Sequence, residues 1–135
     1  MFLYRKKDSI KHRKFNIKGS CFSNKKLSFG YYGLKSVETG RISKDLIMTC
    51  LTAMRRKLKP LGGKIWLRLN PCISVTKKPI SIRMGKGKGS IDRYVSFVRK
   101  GQVMFEISVS DELVALEALR LCSFKLPVKT MILKH

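Results

Sequence analysis

Cations and glycines, rather than an acid–base pair or an activated nucleophile, carry the chemistry legible in this chain. Residues 77–89 read Lys-Lys-Pro-Ile-Ser-Ile-Arg-Met-Gly-Lys-Gly-Lys-Gly, so glycines alternate with lysines directly after a short strand-like run ending in Arg83 and Met84. Such a segment offers little side chain except positive charge. Its backbone can approach a surface closely, because glycine has no Cβ and tolerates positive φ. A polyanion with repeating phosphates is the partner that fits. Two familiar nucleotide-loop templates are both missed. Lys88 is followed by Gly89 where G-x-x-x-x-G-K-S/T needs a hydroxyl residue, and the third glycine arrives one residue early for G-x-G-x-x-G.

Catalysis has little to draw on. His12 and His135 lie far apart, and residues 1–90 hold only Asp8, Glu38 and Asp45 as acids. Asp111, Glu112 and Glu117 read as capping or surface residues of a helix, and Cys50, among apolar neighbours, reads as core. An enzyme would need a compact constellation around Cys72 or Asp92. Cys21, Cys50, Cys72 and Cys122 form no paired C-x-x-C knuckle, so no metal is expected and no cofactor is implied. A reducing compartment is the default for such cysteines.

Charge sets the class of partner. The 135 residues carry 30 Lys and Arg against 8 Asp and Glu, a formal net charge of +22. A free chain of this size would repel itself, so a polyanionic partner is expected to neutralise it. Residues 1–90 hold 23 of the basic and 3 of the acidic side chains, which marks the first two-thirds as the polyanion-binding part. A hydrophobic content of 44% is nevertheless that of a folded domain rather than a disordered tail. No apolar stretch approaches the length of a membrane span, and no secretory signal is expected where residues 1–4 run straight into Arg5, Lys6 and Lys7. The first 28 residues could pass for a transit peptide. Their preference for Lys over Arg and their poor periodicity favour an RNA-binding extension.

The elements that must hold these cations follow from periodicity. Residues 1–35 read as an irregular basic arm, with Phe15, Phe22, Phe29, Tyr31 and Tyr32 set among lysines, as anchors to the body and in one or two cases as stacking platforms. Ser43 caps a helix in which Ile47, Leu51, Met54 and Leu58 share a face, and Pro60 with Gly62 and Gly63 stops it. Residues 64–70 alternate as a strand, with Ile65, Leu67 and Leu69 opposite Lys64, Trp66 and Arg68. Residues 80–84 lead as a short strand into the glycine–lysine loop. Residues 94–99 and 102–109 are further strands joined by a tight turn at Lys100 and Gly101. Ser110 is expected to cap a second helix, whose apolar content comes largely from Leu113, Leu116, Leu121 and Phe124. Pro127 ends it, and residues 128–133 form a last strand. The expected fold is α+β: two helices packed on a mostly antiparallel or mixed sheet, with residues 36–135 as a single domain behind the arm.

Several blocks together are more specific than any one of them. Gly-Gly-Lys-Ile-Trp-Leu-Arg at 62–68, Arg-Met-Gly-Lys-Gly-Lys-Gly at 83–89, Gly-Gln-Val-Met-Phe-Glu at 101–106 and Lys-Leu-Pro-Val-Lys-Thr at 125–130 are four of them. With Ser-Phe-Gly-Tyr-Tyr-Gly-Leu-Lys at 28–35 and Gly-Arg-Ile-Ser at 40–43, they run in the order found in the bacterial-type large-subunit ribosomal protein L-sixteen family, which the chain resembles over residues 28–130. The resemblance implies a structural RNA-binding protein of the large ribosomal subunit and not an enzyme. It would sit on large-subunit ribosomal RNA beside the A site and peptidyl transferase centre, join late in assembly, and touch neighbouring ribosomal proteins.

On that reading the loop of Lys77, Lys78, Arg83, Met84, Gly85, Lys86, Gly87, Lys88 and Gly89 reaches toward A-site tRNA. The arm meets ribosomal RNA through Arg5, Lys6, Lys7, Lys11, Arg13, Lys14, Lys25, Lys26 and Lys35. The body contributes Arg41, Lys44, Arg55, Arg56, Lys57, Lys59, Lys64 and Arg68 as phosphate contacts. Four basic residues in five positions at the end of the first helix exceed what its dipole needs, which favours phosphate contact there. Departures from the family pattern in the arm, at residues 72–74 and at 38–39, together with abundant Lys, Phe, Ser and Ile, suggest an organellar member. A mitochondrial one is expected first, plastid or bacterial next. The competing function is a generic basic nucleic-acid-binding protein outside the ribosome. A membrane-surface protein fits less well, because the cations are spread over loops, strands and helix ends.

Overall fold

Ser43 ends a strand and starts a helix within one residue. Its extended backbone and its hydroxyl, which accepts from Leu46 N–H at 3.4 Å, cap α1 (Lys44–Leu58). Ile47, Cys50, Leu51, Met54 and Leu58 form the buried face of this helix, and Gly62, in a left-handed conformation after a 3-10 turn at Lys59–Leu61, releases the chain. The computed structural model describes residues 10–14 and 16–135. Around α1 it places strands β1 (Tyr32–Ser36), β2 (Gly40–Ser43), β3 (Lys64–Leu67), β4 (Ile73–Lys77), β5 (Ser90–Val98), β6 (Val103–Ser108) and β7 (Thr130–Lys134), with a second helix, α2 (Glu112–Lys125).

The strands form two sheets, ordered β3-β6-β1-β7 and β2-β5-β4, and every pairing between them is antiparallel. The α+β expectation therefore holds. The turn at Lys100 and Gly101, however, carries the chain from one sheet into the other instead of closing a hairpin. It is stitched to the end of β1, since Gly101 N–H donates to Ser36 O at 2.8 Å and Ser36 N–H donates to Gln102 O at 2.9 Å. Helices α1 and α2 pack against each other and over Leu34, Phe105 and Ile107 of the larger sheet, all fully buried.

Four local expectations are corrected. First, β1 is an interior strand of the larger sheet with Leu34 at its centre, so the irregular stretch ends at residue 31 rather than 35. Second, residues 80–84 form no strand; the loop springs from β4, which ends at Lys77, and Ile80 and Met84 are 99% and 93% exposed. Apolar alternation misled there because it serves no sheet. Third, α2 is capped by Asp111, whose carboxylate accepts from Leu113 N–H at 2.9 Å, and not by Ser110. Fourth, the buried face of α2 is Ala115, Ala118, Leu119 and Cys122, whereas Leu113 and Phe124 are 77% and 85% exposed. Small residues face α1 because close helix–helix packing leaves little room between the backbones.

Candidate nucleic-acid interface

The glycine–lysine loop is the connection of a β4–β5 hairpin. Its neck is closed by the pairing of Lys77 with Ser90, and a Cβ on Gly89 would lie 2.6 Å from Lys77 O, so glycine is required there for close approach. Gly89 is thus part of the neck and not of the tip. Beyond it, Gly85, Lys86 and Gly87 take left-handed φ values of 102°, 51° and 85° in succession, which turns the chain sharply outward. Lys78 folds back to donate to Gly85 O, while Arg83, Met84 and Lys86 are exposed. Lys88 is tied to the arm: its Nζ donates to His12 O at 2.6 Å and to Lys11 O at 3.3 Å.

The arm is built into the fold more than its composition suggests. Ser74 N–H donates to His12 Nδ1 at 3.3 Å, and His12 N–H donates to Ser74 Oγ at the same distance. Further along, Cys21 is buried, its N–H donates to Lys100 O at 2.9 Å, and Val103 N–H donates to Asn24 O at 2.8 Å. The stretch from Cys21 to Gly30 lies against the larger sheet, and β6 is buried on both sides.

At the centre of that contact is Glu106, fully buried. Its Oε2 accepts from the N–H groups of Ser28, Phe29 and Gly30 at 3.0, 2.7 and 3.1 Å, and its Oε1 pairs with Arg68. Burial alone would raise the carboxyl pKa. The three amides and the guanidinium outweigh it and hold the group below the ordinary carboxylate range. Arg68 also donates to Asn24 Oδ1 at 2.9 Å and lies over the Phe29 ring, which itself stacks on Trp66 with centroids 6.2 Å apart. Arg68 is therefore held in a largely interior ion pair. Trp66 packs against Phe29 rather than standing free for a base. Glu106 is not among the functional residues expected from the sequence; the signal that points to it is a carboxylate inside an apolar strand of a strongly basic chain, which needs a cation and donors beside it.

The other proposed contacts fall into groups. Arg5, Lys6 and Lys7, like Phe15, lie outside the described residues. Lys11, Arg13 and Lys14 are exposed where the arm crosses the smaller sheet, and Lys25 and Lys26 are exposed further along, Lys25 over the Phe22 ring. Lys35 is half-buried in β1. Arg41 is half-buried on β2 with its guanidinium over Phe97, and Lys44 is exposed at the start of α1. Arg55, Arg56, Lys57, Lys59 and Lys64 are exposed around the end of α1 and the start of β3. Among them Lys57 forms a surface pair with Glu117 at 2.7 Å.

Possible reactive groups sit apart. Cys50 and Cys122 meet in the core between the helices, where the Cys50 side chain and burial push the Cys122 thiol up. Asp92 is exposed beside Arg93. Among the described residues no group of three or more His, Cys, Asp or Glu could hold a metal ion, and no helix is long and apolar enough to cross a membrane.

Comparison with known proteins places this arrangement. A family model described as Ribosomal protein L16p/L10e matches residues 4–133. The chain is 47% identical over 120 residues to a protein of Listeria welshimeri named large ribosomal subunit protein uL16, covering 89% of this chain and 83% of that one. A protein of the same name from Borreliella burgdorferi is 47% identical over 125 residues, 90% of each chain. Another, from Thioalkalivibrio sulfidiphilus, is 43% identical over 113 residues, 84% of this chain and 82% of its own.

Proposed function

The chain belongs to the ribosomal protein L16p/L10e family, and from that membership we propose that it is a structural constituent of the large ribosomal subunit that binds large-subunit ribosomal RNA near the A site. A member of a ribosomal-protein family is not an enzyme, and the role of this chain is to hold RNA. The observation that carries the reading is the loop at residues 78–89. It is pinned at its neck by β4 and β5, turned outward by consecutive left-handed residues, and bears Arg83, Lys86 and the exposed Met84 away from the body. This is a rigidly mounted cationic finger of the kind that can reach A-site tRNA or the RNA backbone beside the peptidyl transferase centre. The arm and the cations at the end of α1 supply further phosphate contacts, and RNA shape rather than base sequence is what they read.

With Arg68 assigned to Glu106, the body offers seven surface contacts: Arg41, Lys44, Arg55, Arg56, Lys57, Lys59 and Lys64. Seven neutralised phosphates give a log–log salt slope of about −5 to −6 for the body alone. The contacting loops of neighbouring large-subunit proteins would complete the site. The mitochondrion is the proposed compartment, on composition, with plastid or bacterial cytoplasm as the other outcomes.

Sedimentation of an organelle lysate through a high-magnesium sucrose gradient tests this directly. Stoichiometric migration with large subunits and whole ribosomes is expected. Confinement to light fractions or to DNA would sink the ribosomal reading and leave a generic nucleic-acid binder.

A further inference from the structure

β4 is an edge strand of the smaller sheet, and the arm is fastened to it at Ser74, which is buried. Ser74 N–H donates to His12 Nδ1, its hydroxyl donates to Ile10 O, and His12 N–H donates back to Ser74 Oγ. A buried amide and hydroxyl at a strand edge need partners of this kind. The same stretch of arm then reaches the glycine–lysine loop. His12 O accepts from Lys88 Nζ at 2.6 Å, and Lys11 O accepts from the same ammonium at 3.3 Å. In return, Lys11 Nζ donates to Lys88 O at 3.4 Å. His12 thus joins the strand on which the loop is mounted to the loop itself.

Little else holds the loop in one direction. Beyond the neck, where Lys77 pairs with Ser90, its own bonds are internal: Ile82 N–H donates to Pro79 O at 3.2 Å, and Lys78 Nζ donates to Gly85 O. Gly85 and Gly87 add backbone that rotates freely. Among the described residues, every hydrogen bond from the loop to anything outside its own hairpin passes through Lys88. From this arrangement we infer that residues 10–12 are a strap that sets the direction of the loop, with His12 and Lys88 as positioning residues rather than RNA contacts. An ammonium directed at two carbonyls of its own chain is spent on the fold, whereas Arg83 and Lys86 carry no such bond and remain for RNA. A loop already held in one direction loses less freedom on binding than one fixed only by contact. The strap rests on the RNA-binding function proposed above, and it adds that the arm must be seated on β4 before the loop is aimed.

Nitrogen-15 relaxation of the full chain reads the strap through the Gly85 and Gly87 amides. Gly101, whose N–H is bound to Ser36 O in another turn, is the internal control. In the unaltered chain both loop amides should have order parameters close to the rigid value of about 0.85. In His12→Ala and in Lys88→Met they should fall to about 0.6 or below, with Gly101 unchanged. Lys86→Met removes a charge but no strap bond, so it should leave the loop rigid. Salt titration of ribosomal RNA binding then separates positioning from contact. Lys86→Met should flatten the log–log slope by about 0.8, while Lys88→Met should weaken binding at an unchanged slope. Loop amides already mobile in the unaltered chain, unchanged in the two strap variants, or loosened only together with Gly101, overturn the strap. A slope flattened by Lys88→Met as much as by Lys86→Met makes Lys88 a phosphate contact and overturns its positioning role. Failure of the unaltered chain to bind ribosomal RNA overturns the RNA-binding function instead, and the order parameters still decide the strap.

Discussion

Removing Glu106 should destabilise the fold about twice as much as removing its partner Arg68. Glu106→Ala orphans four donors: the guanidinium, the Gly30 amide, which is buried, and the Ser28 and Phe29 amides, which can regain water. Breaking a buried ion pair from one side costs about 3–5 kcal/mol, and the buried amide puts this case near 4 kcal/mol. Arg68→Met leaves the carboxylate with its three amides and retains packing on Phe29. The loss is then one charge-assisted bond, about 2 kcal/mol. Urea unfolding of the full chain followed by tryptophan fluorescence measures both, since the single Trp66 stacks on Phe29 within the network. At a typical m of about 2 kcal/mol/M the midpoints should fall by about 2 M and 1 M.

The pH dependence carries an independent sign. The folded-state pKa of Glu106 is depressed, so its contribution is complete above the unfolded value of about 4.3 and is lost as pH falls through the folded value. The stability gap between the unaltered chain and Glu106→Gln should therefore be full at neutral pH and close in acid. Equal losses from the alanine and methionine variants, or a gap that persists unchanged into strong acid, would refute the assignment of Glu106 as the ionised centre of this face.

Three further outcomes can be checked alongside. Gly89→Ala should lower the melting temperature more than Gly85→Ala, because an added Cβ at 89 strikes the Lys77 carbonyl while at 85 it meets open space and only local φ strain of about 1–2 kcal/mol. Leu119→Ala should cost about 2–5 kcal/mol in chemical unfolding, and Phe124→Ala less than about 0.5 kcal/mol, inverting the order that side-chain size on α2 would suggest. Lys57→Gln breaks only an exposed pair with Glu117, so stability should change by less than about 1 kcal/mol. If Lys57 faces a phosphate, the salt slope of ribosomal RNA binding should flatten by about 0.8 in filter-binding titrations.

Much of this protein is legible without coordinates, for a physical reason. Helix α1 announces itself through Ser43, its apolar spacing, Pro60 and Gly62, because caps and breakers act on their own few residues of backbone. The polyanion partner is written in the net charge, and the family in blocks of residues that keep their order along the chain. These properties are local or additive, so amino-acid order alone determines them.

What the tertiary structure decided is where two distant segments meet. Nothing near Arg68 in sequence shows that its partner is Glu106, and nothing near Glu106 shows that the amides of residues 28–30 close around it. The same holds for Ala115, Ala118 and Leu119 taking the buried face of α2 while larger residues remain outside. Packing chooses by shape against a partner surface, and that surface exists only once the chain has folded.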